Sequence, residues 1–394
     1  MKIAVVRQRY NPFGGAERFV ERALGALVQE GAEVTLITRN WEGAEIRDGY
    51  QQLICNPPAS GLHSGRVARD RSFARCAQAA MASGDYDITQ SHERIPGCMI
   101  FRAGDGVHAA WLDHLRRVRG PLGRFGLAIN PYHRYILKAE REMFAHPALR
   151  AIICNSRMVR DEIVRYYGVA AAKLRVIYNG IDLQRFNPEL AAEHRSAVRE
   201  RFSIAQGAPV ILFVGNGFER KGLPQLLSAF AAMQRHDAHL IIVGSDRKMK
   251  AAQAQASRLG IAQRTHFAGA QQDVRPFYGA ADAFALPTLY DPFPNAALEA
   301  LACGLPVLSS RTCGVAELVE AGISGFITDA LDEAAITTAL DKLANDAPTM
   351  RAAARAAAET LPIEAMSARL MALYRELSGG TPECTPESAA GAGL

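Results

Sequence analysis

The sequence predicts an α/β protein made of two doubly wound, Rossmann-like domains. Two observations carry this. Short apolar runs such as Lys2–Val6 and the PVILFVG run of residues 209–215 are continuous rather than alternating, as strands covered on both faces must be. Each is followed by a turn and a helical pattern, which is the β-α-β grammar of a parallel sheet. The length of 394 residues then gives each of two domains room for its own core.

In the first half, the strand Lys2–Val6 leads through the loop RQRYNPFGGAER into an amphipathic helix reaching about Glu30, and Glu33–Thr38 is the second strand. Gly14 and Gly15 allow the backbone to approach a ligand at that helix N-terminus, a tight turn being the alternative. No third Gly follows at the spacing of a dinucleotide fingerprint. Ser64–Ser83 reads as a helix and Asp87–Gln90 as a short strand. The acidic Asp85 and Asp87 form a DxD string, read here as a lead-in to the strand and not as a metal ligand. Cys98–Arg102 is the next strand, with a Gly-rich loop, residues 103–108, at its carboxyl end. Asp105 and His108 on that loop stand where acids and bases meet a ligand of an open α/β sheet; an Asp and a His satisfied within the loop are the alternative.

From Trp111 to Arg141 seven fixed positive charges, Arg116, Arg117, Arg119, Arg124, Arg134, Lys138 and Arg141, face two negative ones, Asp113 and Glu140. Trp111, Phe125, Tyr132 and Tyr135 interleave with them, a composition suited to an anionic membrane surface. A solvated basic face is the alternative, and no nucleic-acid motif is present. Arg150–Cys154 reads as the strand that closes the first domain, and Asn155-Ser156 as the cap of a helix. Asn179-Gly180 is a turn signal at the passage between the domains.

In the second half, the strand at 209–215 is followed by NGFERKGL and a helix from Leu223. Arg220 and Lys221 stand at that strand's end, where two cations and backbone N–H groups would neutralise a diphosphate without metal. Strands at 239–244, 265–269 and 283–286 follow. The last opens LPTLYDPFPNAALEALACGLPVLSS, which predicts a helix over Asn295–Cys303 and a strand over Val307–Ser309. Pro294 fits the first helical turn, so the N–H groups of Asn295, Ala296 and Ala297 point into the crevice, a setting for an anion. Asp291 and Glu299 bracket it with seven residues between them, a solvated surface Glu being the alternative for Glu299. Helices are read over Leu331–Leu343 and Pro362–Leu377, and the tail from residue 379 has nothing to bury.

The net charge of +5 is mild, no apolar run is long enough to span a bilayer, and no signal peptide is seen. Seven cysteines, with no CxxC pair, read as cytosolic thiols and not as a disulfide frame or zinc site.

The Asp291-x7-Glu299 pattern resembles the acid-x7-acid signature of the family 4 retaining glycosyltransferases, whose fold is GT-B. The resemblance implies two domains facing across a cleft, with bounds here of 1–180 and 181–361, and a terminal helix, 362–378, crossing back to the first. It further implies that the helix N-terminus and the RKG of Arg220 and Lys221 hold the nucleotide-sugar phosphates, that Gly14-Gly15 faces them, that Glu299 binds the ribose and Asp291 the transferred sugar. Asp291 stands where most members have Glu, one methylene longer. The strings RYNPFGGAER, TRNWEG, RIPGC, RKG and LEALACGLPVL are most similar to the lipopolysaccharide core glucosyltransferases of that family. These imply UDP-glucose as donor, an inner-core heptose of lipopolysaccharide as acceptor, and retention without metal or other cofactor. They place the protein on the cytoplasmic face of an anionic bacterial inner membrane, reached through Arg116, Arg117, Arg119 and Arg124, with no nucleic-acid partner. An O-antigen or exopolysaccharide acceptor, a UDP-sugar isomerase and a non-catalytic membrane-binding protein are the alternatives.

Overall fold

A computed structural model describes residues 1–9, 31–40, 50–57 and 65–379. Gly14, Gly15, the helix expected to end near Glu30 and the tail beyond residue 379 lie outside them. The first sheet comprises β1 (Lys2–Val6), β2 (Glu33–Thr38), β3 (Tyr50–Ile54), β4 (Ile88–Ser91), β5 (Ile100–Arg102), β6 (Ala151–Cys154) and β7 (Leu174–Val176). Among these strands the described helices are α1 (Arg66–Ser83), α2 (His108–Val118), α3 (Pro121–Ile129), α4 (Pro131–Phe144) and α5 (Arg157–Tyr167). The second sheet comprises β8 (Val210–Val214), β9 (His239–Val243), β10 (Thr265–Gly269), β11 (Ala283–Leu286), β12 (Val307–Ser310) and β13 (Gly325–Thr328). Its helices are α6 (Leu190–Arg201), α7 (Leu223–Ala231), α8 (Met249–Arg258), α9 (Arg275–Ala280), α10 (Asn295–Ala302) and α11 (Glu333–Glu359), and α12 (Ile363–Leu377) ends the described chain.

Both sheets are parallel and doubly wound. Their orders are β3-β2-β1-β4-β5-β6-β7 and β10-β9-β8-β11-β12-β13. The apolar runs pair in simple register, Val210–Val214 against His239–Val243 residue for residue. In each sheet the order reverses beside its first strand, between β1 and β4 and between β8 and β11, and a crevice opens at the carboxyl ends there. Arg7 and Glu93 follow one pair of strands, and Arg220, Lys221 and Asp291 follow the other.

The chain passes between the sheets twice. Ile181 N–H donates to the Leu361 carbonyl and Ile363 N–H to the Ile181 carbonyl, each at 3.0 Å. α12 then lies on the first sheet, as the resemblance implies. Met366, Leu370 and Leu377 pack with Ile3, Val5, Ile88 and Ile153 in one buried cluster. Tyr374 donates its hydroxyl proton to Gln90 Oε1 at 2.7 Å, and Arg150 Nη1 reaches the Leu377 carbonyl at 2.8 Å.

Several expectations are corrected. β6 does not close the first sheet, because β7 adds beyond it, and β3 and β13 are further strands without strong apolar runs. The helix expected to end at Leu343 continues through Pro348 to Glu359, carried by an Ala-rich stretch of high helix propensity. Pro294 is the N-cap of α10 and precedes its first turn, and His108 begins α2 instead of ending a loop. Cys55 and Cys76 are not free thiols but a disulfide, since the end of β3 meets α1 with the two Cα atoms 5.7 Å apart. Cys98, Cys154, Cys303 and Cys313 are free and buried. Among the described residues, no helix is long and apolar enough to cross a membrane.

Gly180 sits where the two passes touch, and a Cβ there would lie 2.6 Å from the Cα of Ile363. Gly180→Ala is therefore expected to destabilise by about 1–3 kcal/mol, read as a lower denaturant midpoint at unchanged m. An unchanged midpoint would contradict this packing.

Candidate active site between the two sheets

On the second sheet the site is set by the loop after β8. Gly222, with φ +74°, lies so close to Pro287 that a Cβ would be 1.9 Å from its carbonyl oxygen, so only Gly serves there. The loop folds the stem of Lys221 back over Gly215, whose Cβ would be 2.4 Å from Lys221 Cδ. Thr288 Oγ1 and Leu289 N–H both donate to the Arg220 carbonyl at 2.8 Å, which ties this loop to the one after β11. Lys221 Nζ then meets Asp291 Oδ2 at 2.9 Å, and Arg220 Nη1 meets the same oxygen at 3.2 Å and the Tyr290 carbonyl at 2.9 Å. Burial alone would raise the Asp291 pKa; Lys221 and then Arg220 outweigh it and hold the carboxyl below its ordinary value.

α10 begins beside this triad with no side-chain cap. Ala297 N–H turns back to the Pro294 carbonyl at 3.2 Å, which removes it from the donors expected to face the crevice. Asn295 Oδ1 accepts from Asn179 Nδ2 at 2.7 Å, and Asn179 Oδ1 accepts from Arg102 Nη2 at 2.6 Å. A chain of side chains thus runs from the end of β5 to the start of α10. Burial lowers the Arg102 guanidinium to about 9. Glu299 is buried rather than solvated, with the Tyr278 hydroxyl 3.0 Å from its Oε2 and from the Ala296 carbonyl.

Across the crevice, Asp105 extends from the loop after β5, half exposed, with Arg7 Nη1 3.7 Å away. Its enclosure in the crevice pulls the pKa up, and Arg7, Arg94, Arg220 and Arg102 pull it down further, to a net lowering. Arg220 acts on carboxylates from both sheets. His108 is placed differently. Its Nε2 pairs with His133 Nδ1 at 3.0 Å, and burial, then Arg94, lowers its pKa to about 3, so the ring is neutral at physiological pH. Asp105 and Arg220, Lys221 and Asp291 come together; His108 belongs to a neighbouring His pair.

Sequence reasoning missed the groups that hold the Asp105 loop. Glu140 is buried and accepts from Arg94 Nε and His108 N–H, both at 2.7 Å, and from the Tyr167 hydroxyl at 2.5 Å. Arg94 Nη2 donates to the Gly106 carbonyl at 3.0 Å. Tyr290, from the second sheet's loop, reaches the same loop from the other side. No local signal marks these residues, whose partners lie 12 to 183 residues away in the chain.

The basic segment folds as α2, α3 and α4. Arg117 pairs with Asp329 at 2.7 Å and Arg119 with Glu219 at 3.2 Å, both on the second-sheet side. Arg116 pairs with Asp113, and Arg124 Nε donates to the Arg116 and Arg119 carbonyls at 2.9 and 3.0 Å. These four arginines are thus engaged within the protein, Arg117 and Arg119 as bridges between its halves. Beside Arg124, α3 exposes an apolar row: Leu122, Phe125 and Ile129 are 88, 65 and 55% exposed. In the DxD string, Asp85 pairs with Lys2 Nζ and Asp87 accepts the Lys2 N–H, a structural role. Among the described residues no group of three or more His, Cys, Asp or Glu side chains is placed to hold a metal ion.

The model of glycosyl transferases group 1 matches residues 194–361, and that of glycosyltransferase family 4 matches residues 13–185. The lipopolysaccharide glucosyltransferase WaaG of Escherichia coli K12 is 25% identical over 88% of this chain and 91% of its own. A D-inositol 3-phosphate glycosyltransferase of Streptomyces avermitilis is 30% identical over 88% of this chain and 78% of its own. The crystal structure of WaaG, described as a glycosyltransferase involved in lipopolysaccharide biosynthesis, superposes with a TM-score of 0.81 at 23% identity, covering 96% of this chain and 100% of that one. With two parallel doubly wound sheets and a terminal helix returning to the first, the chain belongs to the GT-B glycosyltransferases of these families.

Proposed function

We propose that the protein is a retaining hexosyltransferase that moves glucose from UDP-glucose to an inner-core heptose of lipopolysaccharide. The observation that carries this reading is the convergence of Arg220, Lys221 and the start of α10 opposite the Asp105 loop. Two cations and a helix N-terminus at one point suit a leaving diphosphate. Glu299, inside α10, suits the ribose hydroxyls, as the family resemblance implies. The choice of glucose and heptose rests on the sequence strings shared with the lipopolysaccharide core enzymes and on the similarity to WaaG.

In the proposed reaction, the diphosphate draws Lys221 and Arg220 off Asp291, freeing that carboxylate for the hydroxyls of the sugar. The cations then stabilise the negative charge that grows on the phosphate as the C1–O bond breaks. The acceptor oxygen arrives on the face the phosphate leaves, and a phosphate oxygen takes its proton, so no side chain forms a covalent bond to the sugar. Asp105, held ionised by its ring of arginines, positions sugar or acceptor. Neutral His108 contributes hydrogen bonding through its ring, not charge. Gly14 and Gly15 complete the phosphate site in this reading. The protein's own cations supply the charge, so no metal takes part.

The acceptor is lipid-borne, and we assign α3 as the contact with the cytoplasmic face of the inner membrane. Its Leu122, Phe125 and Ile129 form an exposed apolar row, and Arg134, Lys138 and Arg141 on α4 add charge attracted to anionic lipid.

The deciding assay measures UDP release from UDP- and GDP-sugars, with and without truncated lipopolysaccharide core and with EDTA throughout. Acceptor-dependent release from UDP-glucose is expected, reduced about 10²-fold in Lys221→Ala. Full turnover in that variant, or release only from GDP-sugars, would contradict the reading. Phe125→Ser is expected to weaken sedimentation with phosphatidylglycerol vesicles severalfold while leaving the melting temperature within a degree or two, since the side chain is exposed. Equal vesicle binding by variant and parent would remove α3 as the contact.

A further inference from the structure

The two halves of the site are joined by one side chain that no motif singles out. Tyr290 belongs to the loop after β11, directly before Asp291, yet its ring is buried in the core of the first domain. It stacks on His114 of α2, centroids 5.5 Å apart, and on Trp111 at 6.3 Å. Its hydroxyl accepts the Val107 N–H at 2.9 Å and donates to Glu162 Oε2 of α5 at 2.6 Å. Donor and acceptor capacity are both used, as a buried phenol requires.

The Asp105 loop is moulded on that hydroxyl. Gly106 has φ +68°, and a Cβ there would stand 2.3 Å from the Tyr290 oxygen and 2.7 Å from Pro292 Cγ. On the other side of Asp105, a Cβ on Gly104 would stand 2.3 Å from Arg102 Nη1. Asp105 is therefore clamped between a residue resting on Arg102 and one resting on Tyr290. The backbone of Tyr290 meanwhile accepts from Arg220 Nη1, and its neighbour Asp291 holds Lys221. One peptide bond joins the residue whose ring seats Asp105 to the residue whose carboxylate seats the cations.

We infer that Tyr290 is a positioning residue, a pin that fixes the Asp105 loop of one domain against the phosphate-binding cations of the other. This inference deepens the proposed glycosyl transfer and rests on it for its catalytic part. A pin of this kind acts on the geometry between sugar and leaving group. It acts far less on the nucleotide, whose proposed contacts Arg220, Lys221 and Glu299 lie on the second domain. Misplacement by about an ångström is enough to slow such a step up to 10²-fold.

The test uses Tyr290→Phe, which keeps the ring and its stacking and removes the hydroxyl, and Glu162→Leu, which removes the hydroxyl's acceptor. Three quantities are read: UDP affinity, kcat and acceptor KM for transfer, and amide hydrogen exchange of the peptide covering residues 103–108. Tyr290→Phe is expected to bind UDP within twofold of the parent, to lose about tenfold or more in kcat, and to exchange faster at the Val107 amide. Glu162→Leu is expected to shift kcat and exchange in the same direction, and the double variant to do no worse than the poorer single one. Unchanged exchange at Val107 in Tyr290→Phe would overturn the pin. So would a loss of UDP affinity as large as the loss of kcat, or losses that multiply in the double variant. If the parent releases UDP from no donor, the proposed function fails, and the exchange experiment still decides whether the pin exists.

Discussion

Two positive charges and one buried carboxylate meet where the two sheets face each other, and the rest of the site is arranged around them. Asp291 lies 2.9 Å from Lys221 Nζ and 3.2 Å from Arg220 Nη1, with little solvent access to its side chain. Asp291 and Lys221 form the buried part of this group, and removing either leaves the other's charge without its partner, at a cost on the order of 3–5 kcal/mol. The triad therefore constrains both loops that supply it. Gly222 permits the close approach to Pro287 that brings the loops together, and the Arg220 carbonyl receives two hydrogen bonds from the facing loop. In the proposed reaction the same triad offers a ready exchange: an incoming diphosphate would replace Asp291 as partner of the cations, and Asp291 would turn to the sugar.

The residues of that triad were legible in the sequence because each is close to its own strand end. Arg220 and Lys221 follow an unbroken apolar run, and Asp291 precedes, and Glu299 lies within, a helix whose start Pro294 marks. Asp105 was legible for the same reason. The support behind it was not. Glu140, Arg94, Tyr290 and the Arg102–Asn179–Asn295 chain act through partners that only the folded chain supplies. Likewise the central strands announced themselves as continuous apolar runs. β3 (YQQLI) and β7 (LRV), at the two edges of the first sheet, are polar or short and gave no such sign. The helix read over Leu331–Leu343 runs on through Pro348 to Glu359. Cys55 and Cys76 are 21 residues apart, a spacing that says nothing until β3 and α1 are packed together.

The basic segment shows how composition and orientation differ. Its excess of arginine suggested a charged surface turned toward lipid. Arg117 and Arg119 also bridge to Asp329 and Glu219, and α3 exposes Leu122, Phe125 and Ile129 beside Arg124. Charge counting could not separate these uses, because an arginine pairs equally well with a carboxylate or a lipid phosphate. The folded arrangement gives the segment two sides, one fastening the domains and one exposing Leu122, Phe125 and Ile129.

The exchange of partners at Asp291 is tested most directly by UDP titration of Asp291→Asn, calorimetrically, beside its transfer rate. The Asn keeps the volume and releases the cations from their internal carboxylate. UDP binding at least as tight as the parent's is expected, together with a large loss of kcat. UDP binding that weakens in step with kcat would mean that Asp291 serves the nucleotide itself, and the exchange would be wrong.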